Sequence, residues 1–324
     1  MTRVQRPIHD RGGGRVREHA LGSIPTRPDS GTHRDPDRRV RQPMATRYGG
    51  RRYAILLCGA PSARHLNDME FCYRMLRQRH RFDDANIFVL NYDGTLRTVE
   101  GPAPQVWPGN DTPYTMRVTH PGSLQAFRSV LQGLADPDTG LDAGDLLFIH
   151  TNGHGDGIGS VTYLRTFPGE LYMAPQFASD LAALPRYQSL LVMMQQCCSG
   201  GFNRAIVDAS TARRTSVCSA ATDCSESHAL PSEPQWNAFA RAWITAQMGR
   251  DVDGNALRGS LRTRPDGLVE AGEAYRYAAR CVRKLDTPSR LSSRAGAAIT
   301  LGHPGAFVPA TDSPVPEAVE SVTQ

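Results

Sequence analysis

Two short glycine-bordered segments carry the side chains best suited to covalent chemistry. They are Asn152-Gly153-His154-Gly155-Asp156-Gly157 and Gln195-Gln196-Cys197-Cys198-Ser199-Gly200-Gly201. A free thiol, with a pKa near ~8.5, is mostly protonated at neutral pH, so a nucleophilic cysteine needs a base or a positive charge beside it. An imidazole supplies that help. Small neighbours let a substrate backbone approach and leave amides to hold a developing oxyanion. Gly155 after the histidine and Ser199-Gly200-Gly201 after the cysteine meet this requirement. The pair Cys197 and His154 therefore suits acyl transfer through a thiolate. His150 is the competing imidazole, but it lies inside an apolar run with no glycine after it and reads as structural.

Such a pair works only if the fold brings its members together. Tyr53–Cys58 reads as a buried strand closed by Gly59-Ala60-Pro61. Apolar residues at helical spacing follow from Leu66 to about His80, then an alternating strand over Asn86–Tyr92. Gly101–Pro121 is a Pro- and Gly-rich loop long enough to suspect function or mobility. Ser123–Leu134 is an amphipathic helix, Leu146–His150 a third buried strand and Val161–Leu164 a short one. Pro175–Leu184 is helical, Ser189–Gln195 is a fourth buried strand and Thr215–Ala220 a fifth. Helices over Trp236–Met248 and Leu268–Lys284 and a last strand at Ala297–Leu301 complete the pattern. Strands alternating with helices predict a mostly parallel sheet covered on both faces, a three-layer α/β/α sandwich. Ligands of such sheets sit outside the carboxyl ends of the strands. His154 falls just after the third strand and Cys197 at the end of the fourth.

The net charge of +5 suggests a nucleic-acid partner until it is located. Residues 1–49 hold eleven Arg against five acidic residues, and the rest of the chain is close to neutral. The basicity therefore belongs to a tail, and no nucleic-acid partner is expected. That tail and the Pro- and Ala-rich residues 303–324 read as disordered, which leaves 50–302 as one catalytic domain. No apolar stretch is long enough to span a bilayer, so no membrane partner is expected. Seven cysteines, without close even spacing or an apolar leader, favour reduced thiols in a cytoplasmic setting over a disulfide framework.

The residues around Cys197 resemble a known family. Gln195-Gln196-Cys197-Cys198-Ser199-Gly200-Gly201 is similar to the Glu-Ala-Cys-Glu-Ser-Gly-Ser signature of legumains and to the Gln-Ala-Cys-x-Gly of caspases, whose histidine lies roughly 50 residues upstream. His154-Gly155 resembles their His-Gly pair. Arg64-His65 resembles the Arg-His of legumains after the first strand, and Ser219-Ala220-Ala221-Thr222 their Thr-Ala-Ala stretch. The resemblance spans about residues 50–250. It implies a caspase–haemoglobinase fold and a cysteine endopeptidase without cofactor, acting on protein or peptide substrates by hydrolysis or transpeptidation. It implies further that the amides of Cys197 and Gly155 hold the oxyanion and that Arg64, His65, Gln195 and Ser219 contact substrate. Legumains carry Glu where Gln195 stands and prefer Asn, whereas caspases carry Gln and prefer Asp. Cleavage after Asp or Asn is the expectation.

Other signals point elsewhere. The glycine run from Gly153 to Gly159 lacks the Gly-x-Gly-x-x-Gly spacing and the Lys-Ser/Thr of a phosphate loop. Asp266-Gly267 with Glu273 fits half a calcium loop, but Arg262 and Arg264 occupy the first two ligand positions. His150, His154, Cys197 and Cys198 are ligand types for zinc, which makes a zinc-binding module the first alternative. A catalytically inactive, caspase-like interaction domain is the second.

Overall fold

The computed structural model describes residues 49–257 and 261–302. The tails expected to be disordered lie outside the described residues, apart from Gly49. The chain begins with β1 (Arg52–Cys58), α1 (Ala63–Arg74), β2 (Ile87–Asn91), the two-residue strands β3 (Arg97–Thr98) and β4 (Gly101–Pro102), and α2 (Leu124–Leu134). Next come β5 (Leu146–Asn152), β6 (Gly155–Ile158), β7 (Val161–Thr166), β8 (Glu170–Met173), α3 (Ala174–Ala182) and β9 (Ser189–Met194). The remainder is α4 (Asn203–Ala209), β10 (Arg214–Ser219), β11 (Ala229–Leu230), β12 (Glu233–Asn237), α5 (Ala238–Met248), α6 (Ala271–Val282) and β13 (Ser289–Ser292).

Six strands form the main sheet in the order β13-β10-β9-β5-β1-β2. All its pairs are parallel except β10 with β13. The strand period of two divides the apolar residues between two layers. Ala54, Leu56, Phe148, Leu191 and Met193 pack with residues of α1, α5 and α6. Ile55, Leu57, Ile149, Leu190 and Val192 face the other way, against α2, α3 and α4. Burial on both faces explains why these strands read as continuous apolar runs. Phe148 stacks on Trp243 with ring centroids 5.8 Å apart, which fixes α5 over the sheet.

Three expectations change. The last strand is Ser289–Ser292, not Ala297–Leu301. Gly296–Ala298 form a 3-10 turn, and Ile299 and Leu301 fill the α-helical layer without pairing. The true edge strand escapes notice because it is half-buried and polar, joined to β10 partly through hydroxyls such as Ser216 Oγ and Ser292 Oγ at 2.8 Å. Next, Val161–Leu164 belongs to a separate three-stranded antiparallel sheet, β6-β7-β8. The glycines of β6 hide its strand pattern. Last, the Gly101–Pro121 loop is anchored. Trp107 is buried and its Nε1–H donates to Asn67 O at 3.0 Å. The buried carboxylate of Glu70 accepts Thr115 N and Met116 N, both at 2.8 Å.

Candidate active site

The register of β5 and β9 places the two candidate residues. Thr151 pairs with Met194, so His154 and Cys197 each stand three residues beyond one aligned pair. Gln195 N continues the ladder to Thr151 O at 2.9 Å, and Thr151 Oγ1 donates to Gln196 Oε1 at 2.8 Å. Both chains then turn. Gly155 lies so close to the cysteine segment that an added Cβ would stand 2.5 Å from the Cys197 carbonyl oxygen. Only glycine permits that approach, and it brings the His154 and Cys197 segments into contact. Cys198 takes a left-handed φ of 54°, an uncommon conformation for a non-glycine residue, and it directs the chain from Cys197 into the 3-10 turn Ser199–Phe202.

The neighbouring thiols differ. Cys197 is partly exposed, whereas Cys198 is buried. Burial and then the nearby Asp156 carboxylate push the Cys198 thiol up, which makes it the poorer nucleophile. Cys197 Sγ accepts the backbone N–H of Ser227 at 3.4 Å, and the Ser227 carbonyl and hydroxyl oxygens stand at 3.8 Å.

His154 is exposed but has lost water on one side, and this loss together with the charges of Arg64 and Arg165 lowers its pKa. The imidazole is therefore neutral at neutral pH and able to accept a proton. The ring of His65 stands edge-on to it, with centroids 5.1 Å apart. His65 is buried and caps α1: its Nδ1 accepts Ser62 N at 3.0 Å, which leaves Nε2 to carry the proton. This position supports His154 and keeps His65 from a substrate surface.

Arg64 is half-buried, and its Nε has no partner among the described residues. Gln195 is buried; its Oε1 accepts Ala240 N at 2.6 Å while its Nε2 is unpartnered. Ser219 does not fit its expected role as a substrate contact. It is fully buried, and its hydroxyl donates to Asn203 Oδ1 at 2.7 Å.

Sequence reasoning missed a polar hub beneath the site. Asp68 is fully buried, and its Oδ2 accepts Asn237 Nδ2 at 2.6 Å and Asn152 Nδ2 at 3.3 Å. Burial raises its carboxyl pKa to about 7. The hub joins α1, the end of β5 two residues before His154, and the start of α5. Its only signals in the chain are the one-turn spacing of Asp68 from Arg64 and the place of Asn152 in the His154 segment.

His150 is fully buried within β5, its Nδ1 hydrogen-bonded to Met193 O at 3.0 Å. Burial lowers its pKa to about 4, so it is a neutral core residue. No three His, Cys, Asp or Glu side chains gather into a metal site among the described residues. A cavity of about 510 Å³ between α5 and α6 contains none of the candidate residues. No helix among the described residues is long and apolar enough to cross a membrane.

A model of the Peptidase C13 family, the legumain family, matches residues 52–264. Among solved structures, one similar chain is protein GSU0716 from Geobacter sulfurreducens. It is 13% identical, with 77% of this chain and 97% of that chain covered and a TM-score of 0.47. No curated protein matches the chain.

Proposed function

The chain belongs to the peptidase C13 family, whose members are cysteine peptidases, and on that premise we propose that it cleaves peptide bonds after Asp or Asn, with Cys197 as nucleophile and His154 as acid/base partner. The observation that supports this reading is the close approach of Gly155 to the Cys197 carbonyl, which brings the segment of a partly exposed thiol beside the segment of an imidazole at the carboxyl ends of adjacent strands.

His154 takes the thiol proton as Cys197 Sγ attacks the substrate carbonyl. The amides of Gly155 and Cys197, on the two touching segments, suit the oxyanion that forms. The imidazolium then gives its proton to the leaving amine, and the carbonyl carbon stays on sulfur as a thioester. Water deprotonated by the same imidazole releases the acid and regenerates the thiol. A neutral resting imidazole implies that the acid limb of kcat/KM lies below the ordinary histidine value of ~6.5.

Arg64 and Gln195 support the specificity. An arginine with an unpartnered Nε near His154 offers a fixed fork of donors to a carboxylate or amide. Gln195 adds a free amide donor and no negative charge. The test is a peptide library varied at the residue before the cut, offered to the wild type and to Cys197→Ala. Cleavage after Asp and Asn that vanishes in the variant is expected. Faster cleavage after Arg or Lys would sink the specificity.

A further inference from the structure

The neutral state of His154 raises a question: what stabilises a thiolate on Cys197 before substrate arrives? Desolvation and the charges of Arg64 and Arg165 disfavour an imidazolium, so a donor that keeps its proton at every pH would add to what the ring supplies. Among the described residues, the hydrogen-bonding groups recorded against the sulfur belong to Ser227. We propose that the backbone N–H of Ser227, held in place by the His228–Asp286 pair, is a positioned hydrogen-bond donor that stabilises the Cys197 thiolate. This rests on Cys197 being the reactive sulfur of the proposed peptidase and adds a second device for activating it.

The segment carrying Ser227 is pinned on both sides of that residue. The Ser225 carbonyl accepts Cys198 N at 2.8 Å, and its hydroxyl oxygen accepts Thr222 N at 2.8 Å and Thr287 Oγ1 at 2.7 Å. Beyond Ser227, Asp286 Oδ1 accepts both the backbone N–H of His228 at 3.0 Å and its Nδ1 at 2.9 Å. Asp286 is itself buried, with Oδ2 unpartnered among the described residues. The His228 carbonyl accepts Ala238 N at 3.0 Å at the start of α5. With its flanks fixed, the Ser227 amide cannot swing away from the sulfur. It needs no reorganisation when the thiol ionises. A hydrogen bond to a charged acceptor is stronger than one to a neutral acceptor, so this amide favours the thiolate over the thiol. The titratable groups that face the neighbouring Cys198 thiol are Asp156, Cys197, Cys224 and Asp223, and on the Ser227 segment Glu226 stands 3.6 Å from His228 Nε2.

The test follows alkylation of Cys197 by iodoacetamide against pH, with the modified cysteine identified by peptide mass spectrometry. Asp286→Ala and Ser227→Pro, the second deleting the N–H itself, are expected to slow alkylation at neutral pH roughly tenfold and to move the midpoint of the profile upward. In the untouched protein, the Ser227 amide proton resonance should move downfield with the same midpoint as alkylation. That measurement decides the matter even where a variant fails to fold. An amide resonance that ignores the thiol's ionisation, or folded variants whose profiles superimpose on the wild type, would overturn the proposal. The peptidase reading fails by another route, since it requires that Cys197→Ala abolish cleavage, whereas alkylation reports the sulfur whether or not any peptide is cut.

Discussion

The two ends of the central sheet handle buried polar atoms in opposite ways. At the amino ends of the strands, Asp145 is buried and doubly engaged: Oδ1 accepts Arg51 N at 2.6 Å and Oδ2 accepts Asp142 N at 2.9 Å. The Arg51 guanidinium adds an ion pair at 3.5 Å. Arg52 donates to the carbonyls of His80, Arg81 and Leu301, tying β1 to two distant segments. Among the described residues, the His80 ring nitrogens and the neighbouring Gln247 Oε1 are exceptions at this end. At the carboxyl ends, Arg64 Nε, Asp68 Oδ1, Gln195 Nε2, Gln196 Nε2 and Asp286 Oδ2 all lack partners among the described residues. Buried polar atoms are almost always satisfied, so a cluster of exceptions at one end calls for an explanation. The carboxyl-end exceptions gather around the candidate site, as donors and acceptors left for a substrate would.

The largest effect separates the ends by activity. Cys197→Ala should reduce kcat by about 10⁴-fold or more in a peptidase assay, and Cys198→Ala should leave most of it. The reverse result would shift the active-site register by one residue. Next in size is an amino-end change. Asp145→Ala strands the Arg51 and Asp142 amides and should lower stability by about 3 kcal/mol in urea unfolding, with kcat/KM unchanged in the surviving folded protein.

Asp68→Asn should act with the opposite sign. A carboxyl whose folded pKa of about 7 exceeds its unfolded value favours the fold while protonated. Its contribution is therefore complete below the unfolded pKa of ~3.9 and is lost as pH rises through the folded value. Relative to wild type, the asparagine variant should gain about 2–4 kcal/mol between pH 4 and 8, read as a rising difference in Tm. A difference independent of pH would show that the carboxyl does not titrate in that range. Arg64→Met should be the smallest: about 10- to 100-fold in kcat/KM for peptides cut after Asp, with little change in Tm. Equal losses for every residue before the cut would take Arg64 out of the specificity pocket.

Much of this was legible from the chain because burial on two faces writes itself as apolar runs. The strands carrying His154 and Cys197 were readable for that reason, and glycines marked where they end. What escaped was written in polar residues. The strand Ser289–Ser292 pairs at an edge with half its surface in water, so its sequence carries no alternation. Ser227 reaches Cys197 across 30 residues through its backbone, and an amide N–H leaves no trace in residue type. Asp68, Asn152 and Asn237 look like surface residues one at a time, and only the fold makes them a buried cluster. Ser219 shows the converse error, a residue placed by motif whose hydroxyl is already taken.

The missing side chain at Gly155 makes this position a gauge of alignment. The gap between the two candidate loops is narrower than one methyl group, and a side chain here would press on the carbonyls of Cys197 and Tyr163. Gly155→Ala is therefore expected to disturb the packing of both segments at once, lowering the melting temperature together with any activity.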